Sequence, residues 1–130
     1  MVKCGTVIRN LTVEASGYSS NVLYVSSAQE VEITRNTFKS MDNSAMGVYF
    51  DEQSSGELTN NVIVGRKGVG ADTVEKVTIT DNDITFTKMG IELYDGTTER
   101  NTKVIDNSSA EGNAHEQYTV SGNTFDQLAK

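Results

Sequence analysis

Short runs of aliphatic residues recur along the chain, and each is followed by an asparagine at a fixed offset. In two of these runs the apolar residues stand two positions apart, as Val31 and Ile33 and as Val77 and Ile79, so that they share one face of a β-strand. The asparagines stand at positions 10, 36, 61, 82, 107 and 123. No segment keeps an apolar period of 3.6 residues, so we expect helices to be minor or absent.

The positions around each asparagine repeat in chemistry. Three residues before it lie Ile33, Leu58, Ile79, Val104 and Val120, and two residues after it lie Phe38, Ile63, Ile84 and Phe125. These two positions are five residues apart, an odd number, so they would point to opposite faces of one continuous strand. Both can point inward only if a bend between them takes up one residue. We predict that the asparagine occupies this bend, because it tolerates left-handed backbone and bonds neighbouring backbone groups. Asparagines stacked coil upon coil are also expected to bond one another.

A second strand-like run precedes most copies and opens with a glycine. Gly47, Gly68 and Gly90 begin these runs, 14 to 17 residues ahead of the next asparagine. Each period of 21 to 26 residues therefore holds three short strands, which predicts an all-β parallel solenoid of about five coils. An antiparallel sandwich is the alternative, but it does not explain why one bend residue recurs at one offset.

Composition narrows the partners of this domain. The 130 residues fit a single domain, and the excess of 18 acidic over 11 basic residues gives a net charge of −7. That charge works against nucleic acid, whose affinity comes largely from lysine and arginine at phosphates. No run of 18 apolar residues occurs, so no membrane insertion is expected. Cys4 is the single cysteine, which excludes a disulfide within the chain.

The pattern Val-x-Ile-x-x-Asn-x-Phe/Ile, clearest around Asn36, Asn61, Asn82 and Asn123, resembles the right-handed single-stranded parallel β-helix of the pectate-lyase-like superfamily. The resemblance covers about residues 5–126 and implies polysaccharide as the partner. If the chain is an enzyme, it implies a polysaccharide lyase, a glycoside hydrolase or an epimerase. The superfamily also includes phage tailspikes and bacterial surface proteins without known catalysis. The alternative function is therefore a structural or oligomerisation segment of a tail fibre, tailspike or surface protein, and either function implies an extracellular, cell-surface or virion location.

The chain departs from the superfamily in size and at its first coil. Enzymes of this group usually have more coils, and here the segment Thr6 to Val13 begins almost at Met1 without an amphipathic capping helix. An uncapped coil exposes strand edges that invite pairing. We therefore expect 1–130 to be an excerpt of a longer β-helix protein or a homo-oligomer that stacks end to end, unless divergent ends cap it.

Alternation within the glycine-led strands predicts an inner and an outer face. The inward residues are expected to be Val48, Phe50, Val69, Ala71, Ile91 and Leu93. The outward stripe is expected to be Leu23, Tyr49, Gly70 and Glu92, beside a second stripe of Val25, Asp51, Asp72 and Tyr94. Successive coils bring equivalent positions to about 5 Å from each other, so the carboxylates of this face should be neighbours.

This outer face is the candidate site. Asp51, Asp72 and Glu92 are the candidate catalytic acids and bases, and Asp51 and Asp72 are candidate Ca²⁺ ligands, with no other cofactor expected. The candidate substrate-binding residues are Tyr49, Tyr94, Asp95, Arg66, Lys67 and Lys88. The tyrosines would stack on sugar rings, and the three cations, expected in the turns before the strands, would neutralise a uronate. The alternative is that the aspartates only end strands and begin turns.

Overall fold

Strand-forming β-branched residues and the bends between them shape the whole of the described chain. The computed structural model describes residues 3–16, 21–41, 45–72, 74–94, 103–105 and 118–128. Within these ranges the regular structure is β-strand throughout, without a helix. The strands lie in three stacks around one core and are parallel except for Lys103–Ile105, so the predicted all-β solenoid is confirmed.

The first sheet holds the strand that precedes each bend. Its members, in spatial order, are β1 (Val7–Arg9), β4 (Val31–Thr34), β7 (Ser55–Thr59), β9 (Lys76–Thr80) and β12 (Tyr118–Ser121). All neighbours in this sheet are parallel, and Ile33 pairs with Leu58, which in turn pairs with Ile79. Like residues are therefore stacked over like, as the repeat predicts.

The second and third sheets carry the chain from the bend back to the first sheet. The second sheet contains β2 (Thr12–Ala15), β5 (Thr37–Ser40), β8 (Val62–Asp72), β10 (Asp83–Tyr94) and β13 (Thr124–Gln127). The third contains β3 (Asn21–Ser26), β6 (Met46–Asp51), the second halves of β8 and β10, and β11 (Lys103–Ile105). The prediction of three separate strands per coil is wrong for two coils, because β8 and β10 run unbroken through both sheets.

The glycines that open the third-sheet runs lie where these strands turn the corner. A Cβ on Gly68 would lie 2.7 Å from the carbonyl oxygen of Gly90 and would also meet the Cγ2 atom of Ile84. A Cβ on Gly47 would lie 2.6 Å from the carbonyl oxygen of Gly68. The recurring glycine is therefore required by close backbone approach between successive coils.

The number of coils is smaller than predicted. Each step along the first sheet is one turn, and the steps β1 to β4, β4 to β7 and β7 to β9 make about three turns. The step from β9 to β12 passes through residues 95–102 and 106–117, which lie outside the described chain. The five expected coils thus correspond to the five strands of the first sheet, with incomplete coils at the ends.

One apolar core fills the solenoid. All six residues predicted to point inward from the glycine-led strands are buried. The aliphatic residues of the first sheet and the residues after each bend complete the core, which includes Phe38, Phe50 and Phe86 with no exposed surface. At about 25 cal/mol per Å² of buried apolar surface, this continuous core is the main source of stability.

An asparagine ladder joins the coils at the bend between the first and second sheets. Asn36 Nδ2 donates to Asn61 Oδ1, Asn61 Nδ2 to Asn82 Oδ1, and Asn82 Nδ2 to Asn123 Oδ1, each over 3.0 Å. Each Nδ2 also donates to a backbone carbonyl of the coil before it, as Asn61 does to Ile33. The predicted coil-to-coil amide bonding is confirmed for these four asparagines.

At four bends the left-handed residue is not the asparagine that was predicted. Positive φ falls one residue before it, at Arg35, Asn60, Asp81 and Gly122, whereas Asn10 is left-handed itself, as predicted; the five values lie between 57° and 70°. The preceding residue turns the chain, and the asparagine side chain is thereby directed inward to its partners. Asn10 therefore matches Arg35, and the ladder position of the first coil is Leu11, whose N–H donates to Asn36 Oδ1 over 3.0 Å.

The predicted repeat copy at Val104 and Asn107 is also wrong where it can be compared. Strand β11 pairs antiparallel with the end of β10, with Val104 opposite Glu92, so it does not belong to the first sheet. Asn107 lies outside the described residues. Since Asn82 bonds directly to Asn123, the segment between β10 and β12 is an insertion within one coil.

Candidate functional site

The outward residues of the third sheet form the surface that carries most of the predicted site residues. Backbone pairing places Tyr24, Tyr49, Gly70 and Glu92 in one row across four successive strands. We call this surface the tyrosine face and define it by Tyr24, Met46, Tyr49, Asp51, Lys67, Gly70, Asp72 and Glu92. It lies on the opposite side of the third sheet from the core.

The first strand of this face is shifted by one residue from the prediction. Leu23 pairs with Val48 and packs against the core, and Val25 is fully buried, so neither points outward. Tyr24 takes the outward position instead, and Ser26, which pairs with Asp51, is buried. Strand β3 does not begin with a glycine, so the sequence offers no reference position from which to count inward and outward residues. Alternation alone therefore did not give its register with β6.

Two stacked tyrosines form the centre of the face. The rings of Tyr24 and Tyr49 lie 5.6 Å apart between centroids with an interplanar angle of 13°. Tyr24 is 37% exposed, whereas Tyr49 is half-buried. The Tyr24 hydroxyl donates to Asp51 Oδ2 over 2.8 Å, which fixes the outer ring of the stack. Each ring therefore partly covers one face of the other, and the pair forms one aromatic group across two adjacent strands.

Gly70 explains why Tyr49 packs more deeply than Tyr24. A Cβ at Gly70 would lie 3.0 Å from Met46 Cε and 3.0 Å from Tyr49 Cδ1. The missing side chain therefore lets Met46 and Tyr49 pack closely over the strand. The result is an aromatic row interrupted by a small residue, with the carboxylate of Glu92 on the next strand.

The three predicted carboxylates lie around Tyr49. Phe50 pairs with Ala71, so Asp51 and Asp72 occupy neighbouring positions one residue further along the two strands. Burial is the main cause that raises the pKa of Tyr49 to about 12, and the negative charges of Asp51, Asp72 and Glu92 add to it. The phenol is therefore neutral at ordinary pH and lies in a negative electrostatic field.

The pKa of Tyr24 is shifted in the same direction. A hydrogen bond with Ser26 lowers it, but the hydrogen bond to Asp51, burial and the charges of Asp51 and Glu52 together raise it above the usual value. Ser26 and Ser27 each bond Glu52 Oε2, at 2.9 and 3.1 Å. This turn at the end of β6 therefore supplies a further carboxylate beside the tyrosine face.

The predicted cations do not lie in turns. Arg66 and Lys67 are inside β8, and Lys88 is inside β10, because both strands cross the corner without a break. Lys67 Nζ forms an ion pair with Glu92 Oε1 over 3.1 Å. Arg66 and Lys88 are exposed four residues before the tyrosine row, about 13 Å along the strands.

The structure gives less information on the other predicted site residues, Tyr94 and Asp95, and on the predicted Ca²⁺ site. Tyr94 ends β10, and its backbone pairs with Asp72. Asp95 lies outside the described residues. In the part of the chain that the structure describes, no three His, Cys, Asp or Glu side chains converge as a metal would require. The pair of Asp51 and Asp72 stays a prediction as a Ca²⁺ site.

Sequence reasoning missed Tyr24 and Met46. A signal for Tyr24 was present, because it precedes Tyr49 by 25 residues, the same interval that separates Asn36 from Asn61. Met46 carried no such signal, since its contact depends on the space left by Gly70. Three strands of the tyrosine face could therefore be identified from the sequence. The outward residue of the fourth strand, β3, could be identified only from its register with β6.

A separate groove lies on the outer side of the first sheet. It encloses about 450 Å³, and Glu32, Glu57, Glu75 and Lys76 are among its lining residues. Glu32 pairs with Glu57 on adjacent parallel strands. This groove belongs to a different sheet from the tyrosine face and contains none of the predicted site residues.

Comparison with known proteins agrees with this architecture. The family model of the right-handed β-helix region matches residues 2–127. Neither the curated proteins nor the solved structures that were compared give a match. Among the described residues, no helix is long and apolar enough to cross a membrane. With its stacked parallel strands and a match over nearly its full length, the chain belongs to the right-handed β-helix family.

Proposed function

We propose that the chain is a polysaccharide-binding β-helix module and that the tyrosine face is its binding surface. The stack of Tyr24 on Tyr49 carries this proposal. Aromatic side chains offer an apolar surface with a polar end, which suits the mixed C–H and hydroxyl surface of a sugar ring. Because the two tyrosines lie on adjacent coils, a glycan chain would run along the solenoid axis.

The carboxylates have a supporting role in this proposal. Asp51 already accepts the Tyr24 hydroxyl, and Glu92 is paired with Lys67. These contacts hold the rings and the strands in place, and the same oxygens can accept hydroxyl groups of a sugar. The structural partners of both groups favour binding over bond cleavage for this module.

Catalysis by the same face is a finer proposal. Neighbouring strands bring the backbones of Asp51 and Asp72 to about 5 Å, so their carboxylates are within reach of the separation of about 5–5.5 Å that a retaining glycoside hydrolase uses. A lyase or epimerase reaction would use Asp51, Asp72 or Glu92 as the general base. Reducing ends or unsaturated product released from polysaccharide by the native chain, and abolished by Asp51→Asn or Asp72→Asn, would support an enzymatic role.

Glycan binding is tested by calorimetric titration with neutral, uronate and amine-bearing oligosaccharides of equal length. Tyr24→Ala and Tyr49→Ala should each weaken binding about tenfold, which corresponds to about 1.4 kcal/mol in binding free energy. Tyr24→Phe keeps the ring and should retain most of the affinity. Val62→Ala, at a side chain 42% exposed in the second sheet, is the matched control. Binding that is equal in Tyr49→Ala and in the native chain would rule out the tyrosine face.

The first coil supports a second candidate function. Leu11 is 51% exposed at the position where four other coils carry an asparagine, and Ile8 and Val13 are half-buried. Among the described strands, β1 and β2 each pair on one side with β4 and β5. This end is suited to pair with another coil, as in a structural segment of a tail fibre, tailspike or bacterial surface protein. For either function we propose an extracellular, cell-surface or virion location.

The second candidate predicts an oligomer. Light scattering over a range of concentrations should show a mass above 14.1 kDa. Leu11→Glu should give the monomer, because it places a charge on the surface of the first coil that would contact the next chain. Tyr49→Ala should leave the mass unchanged. A monodisperse monomer at all concentrations would contradict end-to-end stacking.

A further inference from the structure

The charges around the tyrosine face bear on which glycan it would take, and this inference rests on the proposed function. The face carries three carboxylates, of Asp51, Asp72 and Glu92, and one ammonium group, of Lys67. A ligand that stacks on the tyrosines would lie among these charges. The sign of the local charge therefore favours a neutral or cationic sugar over an anionic one.

The one cation inside the face is already engaged. Lys67 Nζ lies 3.1 Å from Glu92 Oε1, and the two side chains are 20% and 28% exposed. A uronate would have to compete with Glu92 for this ammonium group. The competition removes much of the affinity that a free lysine would give to a carboxylate ligand.

The other two nearby cations lie outside the tyrosine face, beyond the corner of the solenoid. Arg66 precedes Gly70 by four residues and Lys88 precedes Glu92 by four, a separation of at most about 13 Å along each strand. Both are exposed, so water and salt weaken their effect on a ligand at the face. The carboxylates of Asp51 and Asp72 lie on the other side of the row, in the adjacent outward positions.

The field at Tyr49 agrees with this account. Burial is the main cause that raises the pKa of its phenol, and the charged groups that add to it are Asp51, Asp72, Tyr24 and Glu92, all of which are anionic when ionised. The same negative field would stabilise an ammonium group placed against the ring, where the cation–π attraction adds to the charge-assisted hydrogen bonds.

We propose that the tyrosine face selects glycans that carry free amino groups, with a sugar ring on the Tyr24–Tyr49 stack and its ammonium group at Asp51 or Asp72. This assigns a substrate class to the face: a cationic amino sugar polymer is preferred to its acetylated form and to a polyuronate. The face thereby uses the acidic character that the whole chain shows in its net charge of −7.

The experiment compares three oligosaccharides of equal length: one of glucosamine, one of N-acetylglucosamine and one of galacturonate. Calorimetric titration is carried out at a pH where the amine is protonated, at low and at high salt. The glucosamine oligomer should bind at least tenfold more tightly than the other two, and added salt should reduce that preference. Asp72→Asn should reduce the preference severalfold.

The matched control is Glu57→Gln in the acidic groove of the first sheet, which removes one negative charge from another surface. It should leave the preference unchanged. If Glu57→Gln removes the preference and Asp72→Asn does not, the amine is bound in the groove and this inference is wrong. Equal binding of the acetylated oligomer, or tighter binding of galacturonate, overturns the inference but leaves glycan binding standing. If none of the three binds, the proposed function fails as well.

Discussion

The asparagine ladder and the tyrosine face are built on the same coils but differ in how strictly they repeat. At the bend, Asn36, Asn61, Asn82 and Asn123 supply the same side chain to four successive coils. In the third sheet the equivalent row reads Tyr24, Tyr49, Gly70 and Glu92. One region is a periodic structural element, whereas the other changes at almost every coil.

The difference follows from where the polar groups find their partners. The amides of Asn36, Asn61 and Asn82 are bonded by the coils on both sides, so a substitution there leaves buried groups of the neighbours without partners. An outward side chain is solvated, and its replacement leaves no such deficit. The solenoid can therefore vary its outer face freely while the bend stays constant, which is why we look for function on the face.

Asn61→Ala should have the largest effect on stability. The change removes the acceptor of the Asn36 backbone N–H and side-chain amide, and it removes the donor to the carbonyls of Ile33 and Thr59. We expect a loss of about 3–5 kcal/mol in the free energy of unfolding, since each buried unsatisfied group costs about 1–3 kcal/mol. Urea denaturation measures it.

The neighbouring asparagine provides the control. Asn60 is exposed and has a φ of 57°, so Asn60→Gly keeps the left-handed bend and should change stability by less than about 0.5 kcal/mol. A cost below about 1 kcal/mol for Asn61→Ala would show that the ladder is not a main element of the fold.

Gly68→Ala and Gly70→Ala compare the cost of an added methyl group at two positions of β8. Gly68 lies at the corner between the second and third sheets, and Gly70 lies in the tyrosine face. The new Cβ at position 68 would meet the carbonyl oxygen of Gly90 and the side chain of Ile84, neither of which can move without disturbing the adjacent coil. We expect a loss of about 2 kcal/mol, as for other overpacked sites.

At Gly70 the added Cβ meets the end of the Met46 side chain, which can move aside, and the edge of the Tyr49 ring. Gly70→Ala should therefore cost less than about 1 kcal/mol in thermal or urea unfolding. Equal costs at the two positions would mean that the corner is no more tightly constrained than the face.

The sequence allowed the fold to be predicted because the repeat is enforced by burial. Ile33, Leu58 and Ile79 are each required at the same depth of the core, so their spacing shows the coils directly. The insertion before β12 breaks that regularity. Val104 and Ile105 match the aliphatic pattern of the repeat, but their strand pairs antiparallel with β10 and is not another coil. Strand direction depends on tertiary pairing, which local pattern does not encode.

The candidate site was predicted only in part for the same reason. Tyr49, Asp51, Asp72 and Glu92 follow a glycine whose position is fixed by the corner, so alternation from that point gave the correct outward set. The strand with Tyr24 has no such reference point. The pairing of Lys67 with Glu92 depends on side-chain reach across coils, which spacing along the chain does not show.

Ser54 and Ser40 test how a hydrogen-bond partner changes the effect of a buried hydroxyl on stability. Ser54 Oγ is fully buried and, within the described residues, has no hydrogen-bond partner, so Ser54→Ala should stabilise the chain by about 1 kcal/mol. Ser40 Oγ is equally buried but accepts the N–H of Ala45 over 3.2 Å, so Ser40→Ala should destabilise it by about 1 kcal/mol. Calorimetric melting measures both, and effects of the same sign would contradict this account.

The titration of Tyr49 tests the electrostatics of the face directly. Its pKa is raised from 10.0 to about 12 in the folded chain. Between these two pH values the unfolded chain loses the phenol proton while the folded chain keeps it, so the unfolded state binds fewer protons and stability falls as pH rises. Below pH 10 both states are protonated, and the group makes no difference to the pH dependence.

Absorbance of tyrosinate after rapid pH jumps sums over all five tyrosines, so the difference between the native chain and Tyr49→Phe isolates this group. Tyr49→Phe should remove the transition near pH 12 and flatten the loss of stability between about pH 10 and 12. Asp51→Asn should lower the pKa of Tyr49, since one of the charges that raise it is gone. If Tyr49→Phe instead removes a transition near the ordinary value of 10.0, the phenol is neither buried nor held in a negative field, and the charge argument for an amine-bearing ligand loses its support.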